Sequence, residues 1–220
     1  MKERPILFND PMVRAILQGR KTQTRRILRP QPRLNWVYKL TPEFKAVQVS
    51  TQYDTMGVHD GVFIKCPYGR PGDRLWVREA FCETDWKPGT SGFPADPATG
   101  FIIAYRADYP DWPTRPFPAP WDANWKPSIF MPRWASRLTL EITGVRVERV
   151  QEISEEDAKA EGCSKERIGA EAGALEGMHF TARKQFAEFW DSINARRGFG
   201  WAINPWVWVI KFKRIVESVA

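Results

Sequence analysis

Apolar residues in this chain come in short bursts, and that pattern limits it to small elements. Ile6-Leu7-Phe8, Val62 to Lys65, Leu75 to Phe81 and Phe101 to Tyr105 read as short strands set between turn and proline-bearing segments. Arg137 to Val150 alternates through Leu138, Leu140, Ile142, Val145 and Val147, enough for a long strand or a hairpin. Pro205 to Ile215 closes the chain as a strand carrying Trp206, Val207, Trp208, Val209, Ile210 and Phe212. Helical spacing is confined to three places. Asp10-Pro11 reads as a helix start, with Asp10 as N-cap, Pro11 at the first helical position, Met12, Val13, Ile16 and Leu17 as the apolar side and Gly19 as the stop. Ser154-Glu155-Glu156-Asp157 has the look of a capping box and opens a short helix ending near Gly162. Phe180 to Ile193 is the clearest amphipathic helix, with Phe186, Phe189, Trp190 and Ile193 on its apolar side. Several strands and three short helices predict an α+β fold with a barrel-like sheet.

Two stretches interrupt this pattern. Residues 29 to 60 hold several prolines and no sustained period, which reads as an irregular excursion. From about 85 to 132 prolines and tryptophans dominate, an insertion long enough to expect a function and aromatic enough to expect order. At 220 residues the whole chain, 1–220, is expected to form a single domain with one core.

Charge is concentrated. Between Pro11 and Pro42 there is no acidic residue, while Arg14, Arg20, Lys21, Arg25, Arg26, Arg29, Arg33 and Lys39 are basic, so this segment accounts for the net charge of +7. A field of that kind suits phosphate or nucleic acid, and it equally suits a solvated basic face. Cys66, Cys82 and Cys163 are odd in number and widely spaced, and His59 and His179 lie at no metal-motif spacing, so no disulfide framework, metal or other cofactor is expected. No apolar run approaches the roughly 20 residues of a membrane span, and the N-terminus lacks the apolar stretch of a signal peptide. A cytoplasmic protein with no membrane partner is the expectation. Nothing in the sequence speaks to its oligomeric state.

Gly19-Arg20-Lys21-Thr22-Gln23-Thr24-Arg25-Arg26, directly after a short helix, resembles the G-x-K-x-x-T-x-R signature of ASCH domains. Pro71-Gly72-Asp73-Arg74-Leu75-Trp76-Val77 is similar to that family's G-D-x-L-x-V strand opening. Ile142 to Gly162 is similar to its strand followed by I-S-E-E-x-A-x-x-E-G, and Asn204-Pro205-Trp206-Val207-Trp208-Val209 to its closing strand. The resemblance spans almost the whole chain. Only the 85–132 region lacks a counterpart in the smallest members, as in longer, phage- or prophage-associated ones. It implies a PUA-like β-barrel with flanking helices. It also implies an amidohydrolase that removes the acyl group from N4-acetylcytidine and related N4-acylated cytosines in nucleoside salvage. The residues carried over are Lys21, Thr24 and Glu161, with Glu155, Glu156 and Asp157 as alternatives to Glu161.

Amide hydrolysis needs a nucleophile, a base, an oxyanion donor and an acid for the leaving amine. Thr24 can attack only if its hydroxyl loses a proton as it does so. Lys21 can take that proton if burial or the neighbouring arginines lower its pKa. A carboxylate touching Lys21 works the other way, so the roles assigned to Lys21 and Glu161 pull against each other. In a regular strand Lys21 and Thr24 would also face opposite sides. Arg26 could hold a carbonyl or phosphate, Trp76 or Tyr105 could stack on a base, and Glu79 is the fallback carboxylate. The partner implied is a small nucleoside. The rival reading is a module that binds RNA or a modified base without chemistry.

Overall fold

A computed structural model of the chain describes residues 1–32, 36–50, 59–84, 102–110, 124–163 and 181–216. Its strands are β1 (Glu3–Leu7), β2 (Gln23–Ile27), β3 (Trp36–Leu40), β4 (Lys45–Ser50), β5 (His59–Lys65), β6 (Arg74–Arg78), β7 (Phe81–Thr84), β8 (Ile102–Tyr105), β9 (Thr139–Arg149) and β10 (Trp206–Ile215). Its helices are α1 (Asp10–Leu17), α2 (Glu155–Ala160) and α3 (Ala182–Asn194). The chain divides into two compact units, Met1–Gly19 with Gly72–Glu141 and Lys213–Ala220, and Arg20–Pro71 with Ile142–Phe212.

In the first unit β1 runs parallel to β6, from Glu3 opposite Arg74 to Leu7 opposite Arg78. Pro5 has no N–H to offer a second neighbour, which suits an outermost strand. Asp73 fastens β1 by accepting the Lys2 N–H at 2.8 Å and Arg4 Nη1 at 3.0 Å. The cap of α1 is Asn9, whose side chain accepts the Met12 N–H at 3.1 Å, so the helix starts one residue earlier than Asp10 as N-cap implies. Gly19 then takes the left-handed φ of +72° that ends it. The expected strand from Leu75 to Phe81 is two, because the chain leaves β6 after Arg78 and pairs again as β7 with β8. Phe81, Ile103, Tyr105, Met131 and Ala135 form a buried cluster behind that pair. Most of the 85–132 stretch lies outside the described residues. Within it stand β8 and two single turns of 3-10 helix, Arg106–Asp108 and Ser128–Phe130.

In the second unit β2 and β10 are antiparallel, with Gln23 opposite Lys211, Arg25 opposite Val209 and Ile27 opposite Val207. The face carrying Val207 and Val209 packs on α2 and α3 through Val150, Ile153, Ala158, Ala182, Phe186 and Trp190, with Ile27 joining. Each Val, Ile or Phe so buried stabilises by about 1.5–3 kcal/mol, and the six-residue α2 joins the cluster through Ala158. The buried stripe of α3 is Ala182, Phe186, Trp190 and Asn194, while Ile193, expected on it, is 39% exposed. Glu155 joins the helices by accepting the Ala182 and Arg183 N–H groups at 2.7 and 3.0 Å. The capping box is half formed. Ser154 accepts the Asp157 N–H at 3.1 Å, but the Asp157 carboxylate turns to two arginines instead of back to the cap. The 29–60 excursion contains β3, β4 and the start of β5, an antiparallel three-stranded sheet that the irregular reading missed.

The strand content is α+β, as expected, but the barrel is not formed. Five strands are ordered β1-β6-β9-β10-β2, three more make the separate β3-β4-β5 sheet and two the β7-β8 pair, and among the described residues no sheet closes on itself. The edge at β2 is met by a helix end. The chain just ahead of it is taken by the end of α2: Lys21 forms an isolated antiparallel bridge with Glu161, and Thr22 N–H donates to Ala160 O at 2.8 Å.

Candidate functional site

The second unit assembles its charged residues around that bridge. Glu161 caps the C-terminus of α2, and Gly162 follows it at φ +97°. The bridge delivers the Lys21 side chain to Glu161, where Nζ donates to Oε2 at 2.7 Å and to the backbone carbonyl at 2.9 Å. Both side chains are out of water, at 0% and 4% exposure. Burial holds the Lys21 amine below its ordinary pKa. Glu161 pulls the other way and the positive charge of Arg26 adds to the lowering. The contest left open between Lys21 and its carboxylate therefore goes to desolvation.

Arg25 takes the other oxygen. Its Nη1 donates to Glu161 Oε1 at 3.1 Å, its Nε and Nη2 to Glu148 Oε1 at 2.9 and 2.5 Å, and its Nη2 to Asp157 Oδ2 at 2.9 Å. Arg146 closes the cluster by pairing with Glu148 at 2.7 Å and with Asp157. Burial opposes the Arg25 charge, but the surrounding carboxylates win and keep its pKa above the ordinary value. Burial likewise pushes Asp157 up, and Arg146 and Arg25 more than reverse it. Three cations and three carboxylates thus share one network, in which Lys21, Arg25 and Glu161 are buried and Glu148, Asp157 and Arg146 half-buried. Sequence reasoning named Lys21 and Glu161 but missed Arg25, Glu148 and Arg146, and offered Asp157 only as a substitute for Glu161.

Side chains alternate along β2. Gln23, which donates to Asp157 O at 2.9 Å, and Arg25 lie on the helix-covered face. Thr24 and Arg26 lie on the other, opposite Ile210 and Trp208 of β10. Thr24 is fully buried there. Arg26 is held below its ordinary pKa by burial, against the opposing fields of Tyr68 and Glu161. The structure brings Lys21 and Glu161 together. Thr24 stands on the face of β2 turned from Arg25, the second cation on that carboxylate. Cys163, two residues past Glu161, has its thiol pushed up to about 11 by burial and the Glu161 charge, so it stays protonated at neutral pH.

The remaining sequence candidates belong to the first unit. Glu79 is buried and accepts Arg137 Nε and Nη2 at 3.0 and 2.9 Å, while Arg137 Nη1 and Nη2 reach Asp108 at 2.7 and 2.8 Å. The Arg137 guanidinium lies 3.9 Å from the Tyr105 ring centroid, and Tyr105 Oη donates to Ala135 O at 2.7 Å. Tyr105 thus carries an internal cation on its face. Trp76 does likewise, with Arg78 at 5.2 Å and Arg133 at 6.0 Å from its ring. The described residues contain no group of three or more His, Cys, Asp or Glu side chains arranged to hold a metal ion. They contain no helix long and apolar enough to cross a membrane.

No protein-family model matches this chain, and no curated protein does. Among solved structures it is similar to the ASCH domain from Lactobacillus crispatus JV V101. That match has 12% identity and a TM-score of 0.39, over 97% of this chain and 79% of that one. A superposition that loose carries no argument about activity.

Proposed function

We propose that the chain is a metal-independent amidohydrolase acting on N4-acylated cytosine nucleosides, with Lys21 and Glu161 moving protons and Thr24 as nucleophile. The observation that carries this reading is the Lys21–Glu161 pair, 2.7 Å apart and shut away from water, at the place where the sequence signature and the α2 glutamate meet. Burying a lysine beside a carboxylate is a costly way to gain stability, and strongly perturbed ionisable groups of this kind concentrate at reactive sites. A lysine amine held below its ordinary pKa is easier to keep neutral, the form in which it can accept a proton.

In the proposed reaction neutral Lys21 takes the Thr24 hydroxyl proton as Thr24 Oγ bonds to the acyl carbon. The carbon–N4 bond then breaks, and the proton passes from the Lys21 ammonium, steadied by Glu161, to the leaving N4 amine. Water next cleaves the acyl-threonine, releasing the carboxylic acid and restoring the hydroxyl. The sum is acyl-cytidine plus water to cytidine plus acid, with no redox change and no metal step.

The test is hydrolysis of N4-acetylcytidine to cytidine followed by chromatography, with a chelator control. Lys21→Ala, Thr24→Ala and Glu161→Ala are each expected to lose about 10²–10⁴ of the wild-type rate, and the chelator to change nothing. If Thr24→Ala alone keeps turnover, the attack belongs to water activated by Lys21. Failure of folded wild type on several N4-acyl cytosines would sink the amidohydrolase. A base- or RNA-binding module, recognised by salt-sensitive affinity, would take its place.

A further inference from the structure

The signature that led to Lys21 and Thr24 passes over Arg25, yet Arg25 makes the densest set of contacts in the network. Resting on the amidohydrolase reading, we propose that Arg25 is a positioning residue. By holding Oε1 of Glu161 it fixes the carboxylate with Oε2 toward Lys21, and by sharing that carboxylate's charge it keeps Lys21 from being locked as an ammonium.

The geometry gives each cation one oxygen, Lys21 Nζ on Oε2 at 2.7 Å and Arg25 Nη1 on Oε1 at 3.1 Å. Arg25 cannot drift from this post. Glu148 from β9 and Asp157 from α2 hold its other nitrogens, Arg146 holds both of those carboxylates, and the Phe186 ring of α3 lies 5.7 Å from its guanidinium carbon. The fork suits this task because a guanidinium offers several donors in one plane and never releases its proton, whereas the lysine beside it can. The charged and titratable groups acting on Lys21 are Glu161, Arg26 and Cys163, with Arg25 on the same carboxylate. Without Arg25, Glu161 could offer both oxygens to Lys21, and a neighbouring positive charge would be gone. Each change favours the protonated amine.

The experiment follows the Lys21 Cε resonance by NMR in full-length protein with isotopically labelled lysine, assigned by its loss in Lys21→Met. Arg25→Gln is expected to move the Lys21 titration midpoint upward by about one pH unit or more. Arg25→Gln combined with Glu148→Gln removes one cation and one carboxylate together, so it keeps the buried charge balanced should the single variant fail to fold. It is also expected to shift the midpoint upward, by less than the single variant, because the lost Glu148 charge offsets part of the lost Arg25 charge. An unmoved or lowered midpoint in either folded variant overturns the proposal. In turnover assays the acid limb of the pH–rate profile should move by the same amount, with activity regained at higher pH. A merely structural role would lower the rate by one factor at every pH. Since the resonance needs no substrate, a shifted midpoint without turnover would refute the amidohydrolase and keep the Arg25 assignment. Turnover with an unshifted midpoint would do the reverse.

Discussion

Glu79 and Glu161 are both buried carboxylates held by cations, one in each unit, and the cations differ in kind. Glu79 meets Arg137 through two parallel hydrogen bonds, and Arg137 spends its other donors on Asp108 and its flat face on Tyr105. Burial pushes Glu79 above its ordinary pKa even with that partner, and the two carboxylates push Arg137 still further from deprotonation despite its own burial. Glu161 divides itself between an arginine and a lysine, and burial holds the lysine below its ordinary pKa against the pull of that carboxylate. On the function proposed above, the same ingredients build a brace in one unit and a proton-handling pair in the other. The choice of lysine over arginine at one position makes the difference.

Breaking the brace should have the largest effect on stability. Arg137→Ala leaves Glu79 buried without its fork and strips the cation from Tyr105, which is expected to cost about 3–5 kcal/mol in urea unfolding. Arg137→Lys keeps a charge but not the planar fork and should recover only part of that loss. If Arg137→Ala unfolded at the wild-type midpoint, the first-unit cluster would not be a brace and the contrast with Glu161 would collapse.

How much of this was legible in the sequence follows the range of the interactions. Strand bursts, the Gly19 stop and the amphipathic α3 are local patterns and they reappear, although β1 and β5 each begin three residues earlier than expected and the Leu75–Phe81 strand is divided between β6 and β7. The Lys21–Glu161 pairing came through the resemblance, since 140 positions separate the two residues. Arg25 was hidden because its meaning depends on Glu148, Asp157 and Glu161, which lie 123, 132 and 136 positions away on two other elements. The failed barrel has a related origin. Whether an edge finds a strand or a helix end beside it is decided far along the chain, and no residue of β2 announces it. The β3–β4 hairpin escaped for a local reason. Its turn places Phe44 at φ +58°, a conformation a sequence reader expects of glycine or asparagine.

Removing the lysine should be gentler than removing the arginine. Lys21→Met deletes a desolvated amine, leaves Arg25 on Glu161 and fills the space with a chain of similar length. It is expected to be between unchanged and about 2 kcal/mol more stable in urea, while abolishing turnover. A loss as large as that of Arg137→Ala would make Lys21 a second brace.

The smallest effect is the most discriminating, because it reads the proton itself. Lys21 has a folded-state pKa below its unfolded value of 10.5, so the unfolded chain binds the proton more tightly. Its contribution to stability is therefore fully present above 10.5 and lost as pH falls through the folded value. Cys163 and Cys82, both pushed up to about 11 mainly by burial, act in the opposite sense, and their stabilisation fades as pH rises through that value. Cys82 is common to wild type and Lys21→Met, so the difference between the two unfolding free energies cancels it, while Cys163, on which Lys21 acts directly, is removed by making the comparison in a Cys163→Ser background. That difference is expected to move in favour of wild type as pH climbs toward 10.5 and to level off beyond it. A difference that stayed flat would mean Lys21 keeps an ordinary proton in the fold, and Glu161 would then hold it as tightly as Arg137 holds Glu79.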